Sequence, residues 1–327
     1  MLYVQLTKSS VQQYTVYNFG HDEWDNASQE LRKWEWARKP NLYWRMPIAF
    51  GPMPGPRQSF HGAIRSAHDS TFTTASIKFK TSRTMLQNLF PHTSSTSYRF
   101  QNPGTVAYAS ISQTTLGNME WLGGSGYNHL GLYIHGVEYV KRDGSVVRGT
   151  YMPLLFENLG DPIISGREEL GMPKLYTAID VHRRATSYRI NTSWEGAVWG
   201  NFILSDLEEI DLASPSASAS ASISGEADDG IIVHRYIPAV GRDSRGRADA
   251  DYAVFDPYKE ELPVPQPKRA WKAGKASFKL DALDLDALPT MHHIIERLAE
   301  LPVYEIMGGK IVEGTGVPDV AAARRIE

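Results

Sequence analysis

The chain has 327 residues, 42% hydrophobic and 11% aromatic, enough to bury one large core or two modest ones. A formal charge of −3 and the lack of any basic run give no electrostatic basis for binding nucleic acid. The absence of cysteine excludes a disulfide scaffold, thiolate metal sites and a cysteine nucleophile. The N-terminus lacks a charged start followed by an apolar block, and no apolar run is long enough to span a bilayer. A soluble, cytoplasmic protein with no membrane partner is therefore expected.

Residues 1–60 are aromatic and proline-rich and read as an extension packed on a main unit at 61–327. Glu23–Arg38 has good helix formers, with Trp24, Leu31 and Trp34 near helical spacing, which predicts a short amphipathic helix. In Met46–Phe60, Pro47, Pro52, Pro54 and Pro56 with Gly51 and Gly55 predict a stiff, extended strap. The strap is expected to pack on the main unit or across a subunit interface. The alternative is a lid over a pocket, with Arg57 contacting an anion.

Phe72–Lys80 alternates apolar and polar residues and predicts a strand. Thr81–Phe90 predicts a short helix capped by Thr81 or Ser82 and stopped before Pro91. Tyr98–Phe100 and Thr105–Thr115 are further strands. Asn118–Gly126 is a glycine-rich loop with neither GxGxxG nor P-loop order, so no nucleotide cofactor is expected. Tyr127–Val140 alternates well: Tyr127, His129, Gly131, Tyr133 and His135 share one face, and Asn128, Leu130, Leu132 and Ile134 the other. Lys141–Ser145 carries the Asp-Gly of a hairpin turn, and Val146–Phe156 is the strand that follows.

Ala178–Ile190 and Ser193–Ile203 read as strands joined by a tight turn at Asn191, which sets Trp194 and Trp199 on opposite sides. Residues 211–230 are a low-complexity Ser/Ala loop with no nucleophile-elbow spacing. Ile231–Pro238 is a strand, Gly241–Ala253 a charged loop, Lys275–Leu283 a strand, Met291–Leu298 a helix and Leu301–Gly309 a closing strand. The 10 histidines show no metal-ligand spacing, and the adjacent His292 and His293 cannot face one ion, so no metal is expected. Many short strands and few helices predict a mainly β fold, an antiparallel sheet curled or closed into a barrel.

Between the strands at Val146–Phe156 and Ala178–Ile190 lies Asp161–Tyr176, DPIISGREELGMPKLY. Pro173 stops any long helix and biases Met172 toward extended backbone, so Lys174 should enter a strand with a fixed direction. Taken alone, Lys174 reads as a surface lysine, and Arg167 with Glu168 and Glu169 as ion-pairing residues on a short helix. The stretch Gly166-Arg167-Glu168, then Gly171-Met172-Pro173-Lys174, resembles the acetoacetate decarboxylase family at its Schiff-base lysine. The resemblance extends over Thr71–Pro91, Gly126–Val137 and Leu301–Gly309.

That resemblance implies a cone-shaped antiparallel β-barrel enclosing Lys174, homo-oligomers, and a lyase that joins Lys174 to a β-keto acid. A neutral amine adds to a ketone and loses water, and the iminium formed is an electron sink for breaking an adjacent bond. The amine must escape a reference pKa of about 10.4, by burial or beside a cation. Family members carry a second lysine next to the first; Pro173 and Leu175 stand here, leaving burial as the lever. Where the family places carboxylates, this chain has His129 and Ala109, and Phe72 falls near an expected arginine. His129 is then the expected general base near neutral pH, with Tyr127, Arg167, Glu168, Ser110 and Gln113 as expected substrate contacts. Two alternatives remain: an aldolase, dehydratase or cyclase acting on a larger carbonyl compound of secondary metabolism, or a non-catalytic binding barrel in which Lys174 pairs with Glu168 or Glu169.

Overall fold

The structure is a computed structural model that describes residues 3–6, 14–17, 42–91, 98–212, 228–260 and 262–326. The helix expected at Glu23–Arg38 and most of the Ser/Ala loop lie outside the described residues. β1 (Tyr3–Leu6) and β2 (Tyr14–Tyr17) form an antiparallel pair in a sheet of their own. The other strands form one 14-stranded sheet. Its first half comprises β3 (Thr71–Ser82), β4 (Tyr98–Phe100), β5 (Val106–Gly117), β6 (Tyr127–Val140), β7 (Val146–Glu157) and β8 (Lys174–Tyr176). There follow β9 (Ala178–Arg183), β10 (Ser187–Trp194), β11 (Ala197–Ile210), β12 (Gly230–Pro238) and β13 (Ala248–Pro257). β14 (Gln266–Leu280), β15 (Glu305–Thr315) and β16 (Arg324–Ile326) complete it.

The strand order is β16-β13-β12-β7-β6-β5-β3-β15-β14-β11-β10-β9, with β4 on β6 and β8 on β7. The fold is mainly β, as expected, but the sheet is mixed rather than antiparallel. β7 pairs in parallel with both β8 and β12, and the hydrogen-bonded path does not close on itself. The parallel β8 follows from its connection: the chain between Glu157 and Lys174 is long enough to cross over and return in the same direction.

Alternation along β6 divides the sheet into two environments. Leu130, Leu132 and Ile134 are buried in the main core with Ile77, Phe156 and Trp199. The helix His292–Ala299 adds Ile295 and, just before it, Met291 to the same core. The opposite face of β3, β5 and β6 carries Thr, Ser, Lys, Tyr and His side chains; this is the face on which the lysine lies. The helix Arg83–Gln87 begins as expected at Ser82, whose Oγ accepts from Met85 N.

Two sequence expectations fail for identifiable reasons. Asn191 is not in a turn; it sits mid-strand, paired with Asn201 and Asp180. The turns fall at Arg184–Ser187, closed by Arg184 N to Ser187 O at 2.8 Å, and at Glu195-Gly196. Trp194 and Trp199 accordingly lie on different strands. Glu195 and Gly196 both have positive φ (46° and 87°), which suits a two-residue hairpin turn. Gly241–Ala253 is not wholly a loop, since β13 begins at Ala248, its Asp249 and Asp251 alternating with apolar neighbours as on a half-exposed strand.

Glu195 is a side chain in the left-handed region, where asparagine is tolerated better. Glu195→Asn should raise stability by about 0.5–1 kcal/mol, read as a higher urea midpoint at unchanged m-value. A lower midpoint would contradict this turn assignment.

Candidate active site

The helix Gly160–Ser165 runs directly into a π-helical turn, Gly166–Leu170. Gly171, at φ 71°, ends it in the left-handed conformation, and Pro173 prevents its resumption. Lys174 then opens β8, in register with Leu155, which is itself in register with Gly131 of β6. Lys174 is thus placed on the sheet face that carries Tyr127, His129 and Tyr133. Its side chain crosses Gly166 closely: a Cβ there would lie 2.4 Å from Lys174 Cε and 2.6 Å from Nζ. The glycine of the Gly-Arg-Glu motif is required by this crossing.

Lys174 Nζ is buried and donates to Pro162 O at 3.0 Å. It also meets Glu157 Oε1, at the end of β7, at 2.7 Å. Glu157 is 1% exposed, and its Oε2 is buried without a hydrogen-bond partner. Burial lowers the lysine pKa, the Glu157 charge opposes that shift, and Arg57 adds to it. Burial raises the Glu157 pKa, against the pull of the lysine. Both shifts favour moving the proton from the ammonium to the carboxylate, leaving a neutral amine beside a carboxylic acid.

Where the flanking residues Pro173 and Leu175 carry no charge, Arg57 adds the least of the influences that act on the Lys174 pKa. It arrives on the strap, and both Arg57 and Arg45, the residue just before the strap, pair with Glu169 of the π-helical turn, Arg57 Nε at 2.8 Å. Arg57 Nη1 also donates to Asp319 O at 3.1 Å, and the Gln58 side chain binds Tyr43 and Met53 backbone. Arg57 of the strap thus contacts Glu169 and the Asp319 backbone, and the anion that it meets belongs to the chain itself.

Of the other expected site residues, Tyr127 and His129 share the lysine's face. Burial, then the Glu157 charge, raise the Tyr127 pKa, so its hydroxyl stays protonated. His129 is the direct cross-strand neighbour of Glu157. Burial, then the Lys174 charge, push its pKa down to about 3, so the imidazole stays neutral near neutral pH. Its Nδ1 is buried without a partner. Arg167 lies outside, its side chain exposed and its Nη1 donating to Lys174 O at 2.9 Å, so it holds the lysine's backbone. Glu168 offers its backbone carbonyl to Arg235. The carboxylate beside Lys174 is Glu157's, neither Glu168's nor Glu169's.

Gln113 points to the core face, where its Oε1 accepts from Tyr188 Oη at 2.8 Å. Ala109 is fully buried in that core and could present nothing to Lys174. Sequence reasoning missed Glu157; the available signal was a lone carboxylate closing the apolar run MPLLFE.

The same polar face lines a cavity of about 700 Å³. Hydroxyls of Thr74, Ser76, Ser110, Ser112 and Thr114 form its floor, with the pairs Thr74–Thr114 and Ser76–Ser112 bonded across the strands at 2.9 and 2.7 Å. Tyr133, whose pKa burial and Glu157 push up to about 12, joins the cavity wall to the lysine's surroundings. Among the described residues, no three His, Asp or Glu side chains are grouped as metal ligands, and no helix is long and apolar enough to cross a membrane.

Gly166→Ala should displace the Lys174 side chain and cost about 1–3 kcal/mol in stability. Gly160→Ala, where nothing lies within 4 Å of the added methyl, should cost little. Equal urea midpoints for the two variants would contradict the crossing of Lys174 over Gly166.

No curated protein matches the chain. Among solved structures, one of acetoacetate decarboxylase aligns with TM-score 0.52 and 12% identity over 79% of this chain and 89% of that one. Acetoacetate decarboxylase from Legionella pneumophila subsp. pneumophila aligns with TM-score 0.52 and 14% identity, over 82% and 94%. The enduracididine biosynthesis enzyme MppR, complexed with the condensation product of pyruvate and imidazole 4-carboxaldehyde, aligns with TM-score 0.55 and 12% identity, over 88% and 98%. At these identities the structures establish a shared fold. The family profile for acetoacetate decarboxylase (ADC) matches residues 45–317, and the chain belongs to that family.

Proposed function

We propose that the protein is an imine-forming enzyme that joins Lys174 to the carbonyl carbon of an oxo acid and breaks or makes a bond next to it. The observation that carries this reading is the buried amine held against the buried carboxylate of Glu157. A lysine serving as a surface ion pair would sit in water; this one is buried, which disfavours its charge.

Neutral Nζ adds to the carbonyl carbon, and the carbinolamine loses water to give an iminium. When a carboxylate stands β to that carbon, its C–C bond breaks, carbon dioxide leaves, and the electron pair forms an enamine. Glu157 takes the lysine's proton at the start and supplies a proton to the enamine carbon at the end. Water then hydrolyses the iminium and frees Lys174. Tyr127, with its raised pKa, serves as a neutral hydrogen-bond donor.

A second reading changes only the bond involved. The cavity of about 700 Å³, which meets the lysine's surroundings at Tyr133, falls in the usual size range for larger ligands. MppR, of similar fold, is described bound to a pyruvate condensation product. These two observations favour a larger carbonyl substrate and an aldol-type or dehydration step through the same enamine. Assembly as a homo-oligomer is part of the proposal.

Borohydride added with acetoacetate, pyruvate or a larger oxo acid should leave one covalent adduct, seen by intact mass, in the wild type and none in Lys174→Ala. No adduct with any carbonyl compound would overturn the proposal. Arg57→Gln removes a charge that disfavours the ammonium, so the rise of trapping with pH should move to higher pH. Glu157→Gln removes the charge that favours the ammonium, so trapping should persist to lower pH, while turnover falls by about 10²–10⁴. Shifts in the opposite directions would contradict the electrostatic assignment.

A further inference from the structure

The wall of the cavity of about 700 Å³ holds a cluster that imine chemistry does not use, and neither Lys174 nor Glu157 lines that cavity. Ser110 Oγ lies 2.8 Å from His135 Nε2. His135 Nδ1 lies 3.3 Å from Asp228 Oδ2 and 3.2 Å from Thr150 Oγ1. Asp228 is held in turn by the Thr150 hydroxyl, at 2.8 Å to Oδ2, and by Gly136 N, at 3.3 Å to Oδ1. Ser110, His135 and Thr150 all line the cavity.

The hydrogen bonds fix the imidazole tautomer. With Asp228 and Thr150 accepting at Nδ1, the proton sits there, and the Nε2 lone pair faces the Ser110 hydroxyl. Burial opposes ionisation of Asp228, yet hydrogen bonds from His135 and Thr150 hold its pKa below the ordinary value, so it stays a carboxylate. A serine, a histidine with a free Nε2 and a carboxylate on Nδ1 are the parts of a nucleophilic triad, recognised by geometry rather than by order along the chain.

The cluster is distinct from the lysine centre. His129 is level with Glu157 on β6, and His135 is six residues further on, roughly 20 Å along the strand. Lys78, the cross-strand neighbour of Ser110, and Lys310 line the same cavity. Met307 and Val312 supply apolar wall for an acyl chain.

We propose that Ser110, His135 and Asp228 form a second reactive centre that hydrolyses carboxylic esters of small acids. Ser110 Oγ bonds to the acyl carbon as its proton passes to His135 Nε2. The acyl–oxygen bond breaks, and the leaving alcohol takes that proton. Water then adds to the acyl-serine, giving one proton to His135; the acid is released, and the proton returns to Ser110. The net reaction is ester plus water to acid plus alcohol. This centre stands or falls independently of Lys174.

A fluorophosphonate should add once to the wild type, at Ser110 by peptide mapping, and not to Ser110→Ala. Asp228→Asn should label at least tenfold more slowly, about the least expected when the histidine loses its orienting carboxylate. No adduct on the wild type, or an adduct that persists in Ser110→Ala, would overturn the proposal. Because the chain has no cysteine, Ser110→Cys introduces a single thiol and keeps the side-chain size. At about pH 6.5 that thiol should react with iodoacetamide at least tenfold faster than in Ser110→Cys combined with His135→Gln. Equal rates in two folded variants would show that the histidine does not activate the position, and would also overturn the proposal.

Discussion

The site depends on one constraint: a lysine nitrogen and a carboxylate are buried against each other. Lys174 and Glu157 touch at 2.7 Å with both side chains buried. Removing two charges from water is costly unless the pair is well satisfied, and here the pair is satisfied on one side only. The amine has Glu157 Oε1 and Pro162 O, whereas Glu157 Oε2 has no partner. Transfer of the proton within the pair removes both charges at once. The arrangement that costs stability in the resting protein is the one on which the proposed imine chemistry draws.

Each neighbouring element serves to hold that pair in place. The crossover between β7 and β8 brings Lys174 back parallel to the strand that carries Glu157. The π-helical turn lays Gly166 under the lysine side chain, so that no Cβ obstructs it. Arg167 clasps the lysine's own carbonyl from outside. The strap closes the structure from the other side, through Arg57 and, just before the strap, Arg45 on Glu169. Arg57 thus does two things with one charge: it anchors the strap and disfavours the ammonium form of Lys174. The N-terminal strap is part of the active-site electrostatics despite lying more than a hundred residues from the lysine in sequence.

Where local pattern determines the outcome, the sequence reveals it. The bounds of β6 at Tyr127–Val140, its two faces, the Ser82 cap and the entry of Lys174 into a strand all follow from alternation, capping and proline stereochemistry. The family motif locates the lysine for the same reason, because Gly166, Gly171 and Pro173 each meet a backbone need. What depends on contacts between distant residues stays hidden. Glu157 reads as a polar strand end until β8 pairs beside it. Arg57 reads as an anion contact in the lid alternative, with nothing in the sequence to name Glu169 as its partner. Gln113 faces the core because strand parity, rather than polarity, decides its side. The hairpin at Glu195-Gly196 carries no Asn-Gly signature, so Asn191 drew the turn to the wrong place. Ser110, His135 and Asp228 meet only when β5, β6 and the residues before β12 are brought together.

The protonation state of Lys174 tests the account most directly. Lysine labelled with ¹³C at Cε can be followed by NMR through a pH titration, with Lys174→Arg assigning the resonance. The account predicts a Lys174 signal that remains in the neutral-amine position well below the ordinary lysine pKa, and that moves when Glu157 is changed to Gln. A Lys174 signal that titrates with the solvated lysines, indifferent to Glu157, would contradict it.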